Sequence, residues 1–278
     1  MEKVRLDNLL FSKGLAGSRE KARAMILAGE VYVDSQLIDK PGVKVNTAAV
    51  IDIKSSRLKY VSRGGYKLEG AIRDFKVDFC GKTVLDVGAS TGGYTDCALQ
   101  NQAAKVYAVD VGYGQLDWTL RNNPRVIVME RTNIRYLTRD QLGEKVDIIT
   151  MDVSFISTTL IFPVLKELLR EEGEIISLIK PQFEAGRNQV GKNGVVRNPA
   201  IHREVLLCCI AAAEQEGLNC VGVTFSPIKG PKGNIEYFIR LCQHKTGLHD
   251  IDEQISKVVS RAHNGLGDRI GEDFSGEK

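Results

Sequence analysis

The sequence predicts an α/β protein, a mostly parallel seven-stranded sheet closed by a terminal antiparallel hairpin and preceded by a small α+β module. Three observations point there. From Lys82 onward, short β-rich runs alternate with helical stretches, the pattern of βαβ units stacked into a parallel sheet. Near the end, two β-rich runs are joined by PIKGPKG, a loop too short for a crossover helix, so these strands must be antiparallel. Finally, residues 1–67 carry 13 Lys+Arg against 7 Asp+Glu although the 278-residue chain nets only +3, which sets a basic module apart from the rest.

Composition narrows the class. Hydrophobic residues at 43% and charged residues at 26% describe an ordinary globular chain. No apolar run reaches the length of a membrane span, and MEKVRLDNLL has no signal-peptide pattern, so a cytoplasmic location without membrane contact is expected. The six cysteines form no CxxC pair and mostly sit in apolar runs. That reads as reduced, buried thiols, with neither disulfides nor a metal site expected.

In the basic module, RLDNLLFSKGL has leucines at helical spacing and stops near Gly14. Ser18 is placed as an N-cap with Glu20 in the first turn. Ala22, Met25 and Ile26 form an inner face, and Gly29 ends that helix. EVYVDSQLID then gives two short strands around Asp34-Ser35, and a last strand runs from Ala49 to Ile53. With GLAGSREKARAMILAGEVYVD and the following KPG, this order of elements resembles the αL RNA-binding domain first seen in a small-subunit ribosomal protein. The resemblance implies contacts to structured RNA through phosphates and shape, with Arg5, Arg19, Lys21 and Arg23 as candidates. A solvated basic face is the plainer reading of the same charges. The expected boundaries are 1–58 for this domain, 59–65 for a linker, 66–243 for the large domain and 244–278 for a partly disordered tail.

The predicted strands of the large domain are TVLDV, KVYAVD, RVIVME, VDIITMD, EIISLIK, CVGVTFS and NIEYFIRL. Five parallel strands closed by a hairpin is the arrangement of Rossmann-like methyltransferases rather than of nicotinamide dehydrogenases. The loop LDVGASTGGYTD agrees, since its glycines would let a ligand approach the backbone beyond the strand ends, and its spacing is not GxGxxG. Asp86, Gly88, Ser90, Gly92 and Gly93 are therefore candidate cofactor contacts. Asp110, ending YAVD, is placed to accept hydrogen bonds from the ribose hydroxyls of a nucleoside cofactor, and Asn133 to lie beside its base. A strand-end carboxylate can also simply cap a loop.

The strand EIISLIK raises a question, because it looks interior and yet ends on Lys180. Burying a cation is costly unless it has a partner or a task. Asp152 ends the preceding strand, Glu236 is expected early in the last one, and Lys67 lies at the start of the helix leading into the domain. Taken singly, each has an ordinary structural explanation. Together, Lys67, Asp152, Lys180 and Glu236 resemble the Lys-Asp-Lys-Glu tetrad of the FtsJ-type RNA ribose 2′-O-methyltransferases. SRGGYKL, LDVGASTGGYTD, MDVSFIS and IKPQFE, behind the αL domain, resemble the TlyA (hemolysin A) family over residues 3–242.

That resemblance implies S-adenosylmethionine-dependent 2′-O-methylation of ribosomal RNA, with ribosomal RNA or ribosomal subunits as partners and no metal. A ribose hydroxyl is a weak acid, so Lys180 would remove or share its proton, helped by burial and by Lys67. Asp152 would orient this group and lie against the cofactor, and Glu236 would hold Lys67 or the ribose. Arg63, in the joint SRGGYKL, is a further RNA contact. EAGRNQVGKNGVVRNP is expected to be a mobile lid whose Arg187, Lys192 and Arg197 meet phosphates, joined by Lys229 and Lys232 of PIKGPKG. A short helix is expected over 251–262. Two rivals remain at this level: an RNA-binding protein with an inactive methyltransferase fold, and a hemolysin-like membrane-active protein. Cofactor titration separates the first and liposome leakage the second.

Overall fold

A computed structural model describes residues 3–27, 30–34, 36–53, 59–191, 193–244 and 246–266. The chain divides into two compact units, Met1–Lys59 and Tyr60–Lys278. In the first, β1 (Lys3–Arg5) leads into α1 (Leu6–Ser12) and α2 (Arg19–Leu27), followed by β2 (Val31–Val33), β3 (Gln36–Leu37), β4 (Lys44–Asn46) and β5 (Ile51–Ile53). The Ser18 hydroxyl accepts the Lys21 backbone N–H at 3.1 Å, so the expected cap is formed. β2 is the centre of a three-stranded sheet between β3 and β5, and β1 pairs antiparallel with β4. β1 and β4 were not expected: each is three residues with a single apolar residue, Val4 or Val45, between charged or polar neighbours. Leu6, Leu9, Leu10, Ala22, Ile26 and Val31 form the small core.

The larger unit begins with α3 (Gly64–Phe75) and continues with β6 (Thr83–Val87), α4 (Gly93–Gln100), β7 (Lys105–Val109), α5 (Trp118–Arg121) and β8 (Val126–Met129). After these come α6 (Arg139–Leu142), β9 (Val146–Met151), α7 (Phe162–Leu168), β10 (Leu169–Ile179), α8 (Pro181–Glu184), α9 (Pro199–Gln215), β11 (Asn219–Phe225), β12 (Tyr237–Cys242) and α10 (Ile251–Leu266). The strands form one seven-stranded sheet in the order β11-β12-β10-β9-β6-β7-β8. All neighbours from β10 to β8 are parallel, whereas β12 runs antiparallel to both β10 and β11. Strand order reverses between β6 and β9, so a crevice opens at their carboxyl ends, where ligands bind open α/β sheets.

Helices cover both faces. On one, Phe162, Leu165, Leu206 and Ile210 pack against Ile149, Ile175 and Ile239; on the other, Leu68, Tyr94 and Cys97 pack against Val84, Ile176 and Phe238. α10 is longer than expected and belongs to the first of these layers. Its Ile255, Val259 and Ala262, at i, i+4 and i+7, are buried there, so much of the expected tail is core. Residues 267–278, where disorder was expected, lie outside the described residues. The cysteines also differ from expectation. Cys97, Cys209, Cys220 and Cys242 are buried free thiols, but Cys80 and Cys208 are exposed. Among the described residues, no helix is long and apolar enough to cross a membrane.

Candidate active site

The crevice between β6 and β9 holds a cavity of about 510 Å³ whose wall includes Lys67, Asp152, Lys180 and Glu236. Each arrives on a different element. Lys67 lies in the first turn of α3, Asp152 follows β9, Lys180 follows β10 and Glu236 immediately precedes β12. Glu236 was expected early in the last strand. It lies one residue outside β12, which is an interior strand, and it is buried.

The four charges alternate. Lys67 Nζ donates to Glu236 Oε2 at 2.6 Å and lies 3.8 Å from Asp152 Oδ2, while Lys180 Nζ lies 2.6 Å from Asp152 Oδ1. Formal charge sums to zero, with no side chain of the four more than 18% exposed. Lys180 therefore ends a buried strand because Asp152, one strand over, supplies its countercharge. The pairing offsets a desolvation that neither ion would bear alone.

Two glycines make this approach possible. Gly88, after β6, has φ +84°, and a Cβ there would fall 2.5 Å from the carbonyl oxygen of Asp152. A Cβ on Gly230 would fall 2.5 Å from Glu236 Oε1, so any side chain there would have to displace that carboxylate.

The other predicted residues divide clearly. Gly88, Ser90, Gly93, Arg63, Lys229 and Lys232 line the same cavity. Asp86 does not reach it. Its carboxylate is fully buried beneath the loop and accepts from the Thr95 and Thr150 hydroxyls at 2.6 and 3.2 Å. Desolvation pushes its pKa up to about 7, against those two hydrogen bonds. Gly92 faces away from the cavity; a Cβ there would meet Leu120 and Leu116 at 2.3 and 2.8 Å.

Asp110 and Asn133 lie outside the cavity wall. Asp110 accepts the backbone N–H groups of Ser90 and Gly112 at 2.8 and 2.7 Å, and Asn133 caps a short 3-10 turn through the N–H of Arg135. In the N-terminal unit, Arg19, Lys21 and Arg23 are exposed. Arg19 and Arg23 share a face of α2, with Lys21 across from them. Arg5 is forked onto Asp7 at 3.0 and 2.7 Å, so its guanidinium is already engaged and holds the Asp7 carboxyl below the usual range.

The expected lid is pinned rather than loose where it is described. Glu184 accepts from Ser157 Oγ and the Thr158 N–H at 2.6 and 2.8 Å. At the other end, the Val196 N–H donates to Asn234 Oδ1 at 3.0 Å, and Asn234 Nδ2 donates to the Gly194 carbonyl at 2.9 Å. Arg197 lies in a neighbouring hollow with Gln189 and Asn198. The Arg187 side chain and Lys192 lie outside the described residues.

Several cavity residues were missed. Lys180 Nζ donates to Ser154 Oγ at 2.9 Å, and Gln182 Nε2 to Glu236 Oε1 at 3.4 Å. The Phe155 and Phe183 rings pack at a tilt, 4.9 Å between centroids, on the wall near Lys180. Ser154 and Gln182 each lie two residues beyond a tetrad member, so proximity to Asp152 and Lys180 was the available signal.

Comparison with known proteins matches residues 60–243 to the FtsJ-like methyltransferase model and residues 4–51 to the S4 domain model. The chain belongs to the FtsJ-like methyltransferase family. Among its relatives, the 16S/23S rRNA (cytidine-2′-O)-methyltransferase TlyA of Mycobacterium tuberculosis is 45% identical over 86% of this chain and 90% of that protein. A candidate rRNA methyltransferase of Bacillus subtilis, YqxC, is 49% identical over 95% of this chain and 96% of its own. The solved structure of a candidate hemolysin from Streptococcus thermophilus superposes with a TM-score of 0.75 at 43% identity, covering 95% of this chain and 97% of that one. The sheet order, the terminal hairpin and the leading S4 domain are thus those of a Rossmann-like FtsJ-type methyltransferase.

Proposed function

We propose that this FtsJ-like protein transfers the methyl group of S-adenosylmethionine to a ribose 2′-hydroxyl of ribosomal RNA, alone or within a ribosomal subunit. The observation that carries this reading is the alternating series Glu236–Lys67–Asp152–Lys180, set on the wall of a cavity at the carboxyl ends of β6 and β9. Such a group suits a reaction that moves one proton off a weak acid while adding no net charge.

The loop fits the cofactor. Gly93 and Tyr94 open α4 on the cavity wall, so helix N-terminal amides are available to a carboxylate. Asp110 is oriented by two backbone N–H groups and keeps a further lone pair on each oxygen for ribose hydroxyls. Asn133 would stand at the base end, and Asp86 would support the loop from below rather than touch the ligand. S-adenosylmethionine, when bound, supplies a methyl group already activated on a sulfonium, so the leaving group needs no metal.

Within this frame, Lys180 acts as the neutral amine: its ammonium first yields a proton to solvent, and the amine then takes the proton of the ribose hydroxyl as that oxygen bonds to the methyl carbon. Asp152 and Ser154 hold its amine in place at 2.6 and 2.9 Å. Lys67, fixed by Glu236, faces the same cavity and stabilises negative charge as it develops on the oxygen. Positioning contributes much of the rate, because methyl transfer requires the oxygen, carbon and sulfur in line. Arg19, Lys21 and Arg23 of the S4 domain, with Arg63, Lys229, Lys232 and Arg197 of the larger unit, meet RNA phosphates. Ribosomal RNA as substrate places the protein in the cytoplasm.

The experiment is transfer of labelled methyl from S-adenosylmethionine to separated ribosomal subunits and to protein-free ribosomal RNA, followed by nuclease digestion. Label in a 2′-O-methyl nucleoside is the expected outcome. Label on a base, or cofactor binding with no transfer to any of these RNAs, would contradict the reading.

A further inference from the structure

Outside the cavity, the larger unit carries a second surface. Tyr113 and Trp118, on the loop and helix after β7, are 67% and 73% exposed, and Tyr136, after β8, is 69% exposed. Large aromatic side chains left this open on one side of a domain mark a contact surface. The two segments are held together. The Arg131 N–H donates to the Gly112 carbonyl and the Thr132 N–H to the Asp110 carbonyl, both at 2.9 Å. Arg121 Nη2 donates to Glu130 Oε1 at 2.7 Å, and the Gln115 N–H donates to the same oxygen at 3.2 Å.

Arginines stand among the rings. The Arg131 guanidinium lies 4.1 Å from the Tyr113 ring centroid, and that of Arg135 lies 5.5 Å from Tyr136. Both arginines are exposed, and no ion pair engages either among the described residues. The acid beside Arg131, Glu130, is mostly buried. The Arg121 guanidinium and the backbone N–H groups of Gly114 and Leu116 hold its pKa down to about 2, so its charge is met from within.

This surface adjoins the cavity through one loop. Ser90, on the cavity wall, donates from its N–H to Asp110, and the Asp117 N–H donates to the Thr91 carbonyl at 3.1 Å. Exposed rings beside guanidinium groups that no carboxylate neutralises among the described residues suit a polyanion with flat, unpaired bases, and Arg131 already covers one face of Tyr113. Stacking on the rings is tolerant of sequence, and the arginines answer the phosphates.

We infer that Tyr113, Trp118 and Tyr136, with Arg131 and Arg135, form a docking surface for unpaired RNA nucleotides flanking the methylated residue. The inference rests on the ribosomal RNA reading above and adds to it a contact surface outside both the S4 domain and the tetrad cavity.

Trp118 is the single tryptophan of the chain, so its emission reports on this surface alone. Protein-free ribosomal RNA is titrated into the full-length protein, with S-adenosylmethionine alone as a second arm. RNA is expected to quench the emission and the cofactor to leave it unchanged. Trp118→Ala and Tyr113→Ala should each weaken RNA affinity, read by filter retention, about fivefold or more. Trp118→Phe and Tyr113→Phe should restore it, with cofactor affinity and turnover at saturating RNA at wild-type levels throughout.

Quenching by cofactor alone would assign the rings to the cofactor and overturn the inference. Unchanged RNA affinity in the Tyr113→Ala/Trp118→Ala double variant would also overturn it. If that variant bound RNA normally but methylated ribosomal subunits poorly, the surface would belong to a ribosomal protein instead. Wild-type protein that binds cofactor but neither binds nor methylates ribosomal RNA would remove the functional reading itself, and this inference with it.

Discussion

Replacing Glu236 with alanine tests what the tetrad does for the fold before it does any chemistry. The substitution removes the 2.6 Å partner of Lys67 and leaves its ammonium, 10% exposed, with only Asp152 at 3.8 Å. Removing one member of a buried pair costs about 3–5 kcal/mol, since the other charge stays desolvated and unmatched. Asp152 still gives partial compensation, so the lower end of that range is expected. In a unit of this size, about 3 kcal/mol lowers Tm by roughly 6–12 °C, which circular dichroism can follow. Lys67 should also draw Asp152 away from Lys180, so methyl transfer should fall further than unfolding explains. The double variant Lys67→Met/Glu236→Leu removes both charges at similar volume and should regain most of the stability while staying inactive. A Glu236→Ala protein within ~0.5 kcal/mol of wild type, or a double variant with normal turnover, would refute the account of the pair.

Two further outcomes follow from other parts of the molecule. Asp86 binds its proton more tightly folded than unfolded, with a native pKa of about 7 against an ordinary aspartate value of 3.8. Its contribution is therefore complete at low pH and lost as pH rises from about 4 to about 7, by an amount on the order of 4 kcal/mol. Asp86→Asn should show a Tm advantage over wild type that grows between pH 5 and pH 8; a difference independent of pH would contradict the burial argument. Removing residues 1–58 should weaken RNA binding and flatten its dependence on salt. The log–log slope should change by about 3, because Arg19, Lys21 and Arg23 are exposed while Arg5 is committed to Asp7. An unchanged slope would mean the S4 domain is not the RNA anchor.

Much of this architecture is legible in the sequence because its strands are buried on both faces. Runs such as TVLDV and EIISLIK are mostly apolar, and four of the five parallel runs end on a charged residue at the same edge of the sheet, namely Asp110, Glu130, Asp152 and Lys180. Lys180 and Asp152 were therefore placed at the crevice from their position in the chain alone. The resemblance implied Asp152 beside Lys180 and left Glu236 to either Lys67 or the ribose; the residues alone do not fix these pairings. That Lys67 takes Glu236 and Lys180 takes Asp152 depends on the order of β12, β10 and β9 across the sheet and on the start of α3. Asp86 was misleading for a related reason. It lies one residue before the strand end, and period-two alternation turns its side chain inward to Thr95 and Thr150. α10 was undervalued because three apolar residues at helical spacing are a weak signal until α9 supplies the surface that covers them. The clamp of Asn234 on Gly194 and Val196 has no sequence signature, since it joins segments 38 residues apart through an ordinary amide.

The role proposed for Lys180 is to act on the ribose hydroxyl, not to hold the ligands. The most direct measurement is single-turnover methyl transfer by Lys180→Ala to the RNA that wild type modifies, with cofactor and RNA dissociation constants measured on the same protein. Both dissociation constants are expected within about threefold of wild type, with a chemical step slower by roughly 100-fold or more. A Lys180→Ala protein that transfers methyl at the wild-type rate, or one whose loss is explained entirely by weaker cofactor binding, would contradict it.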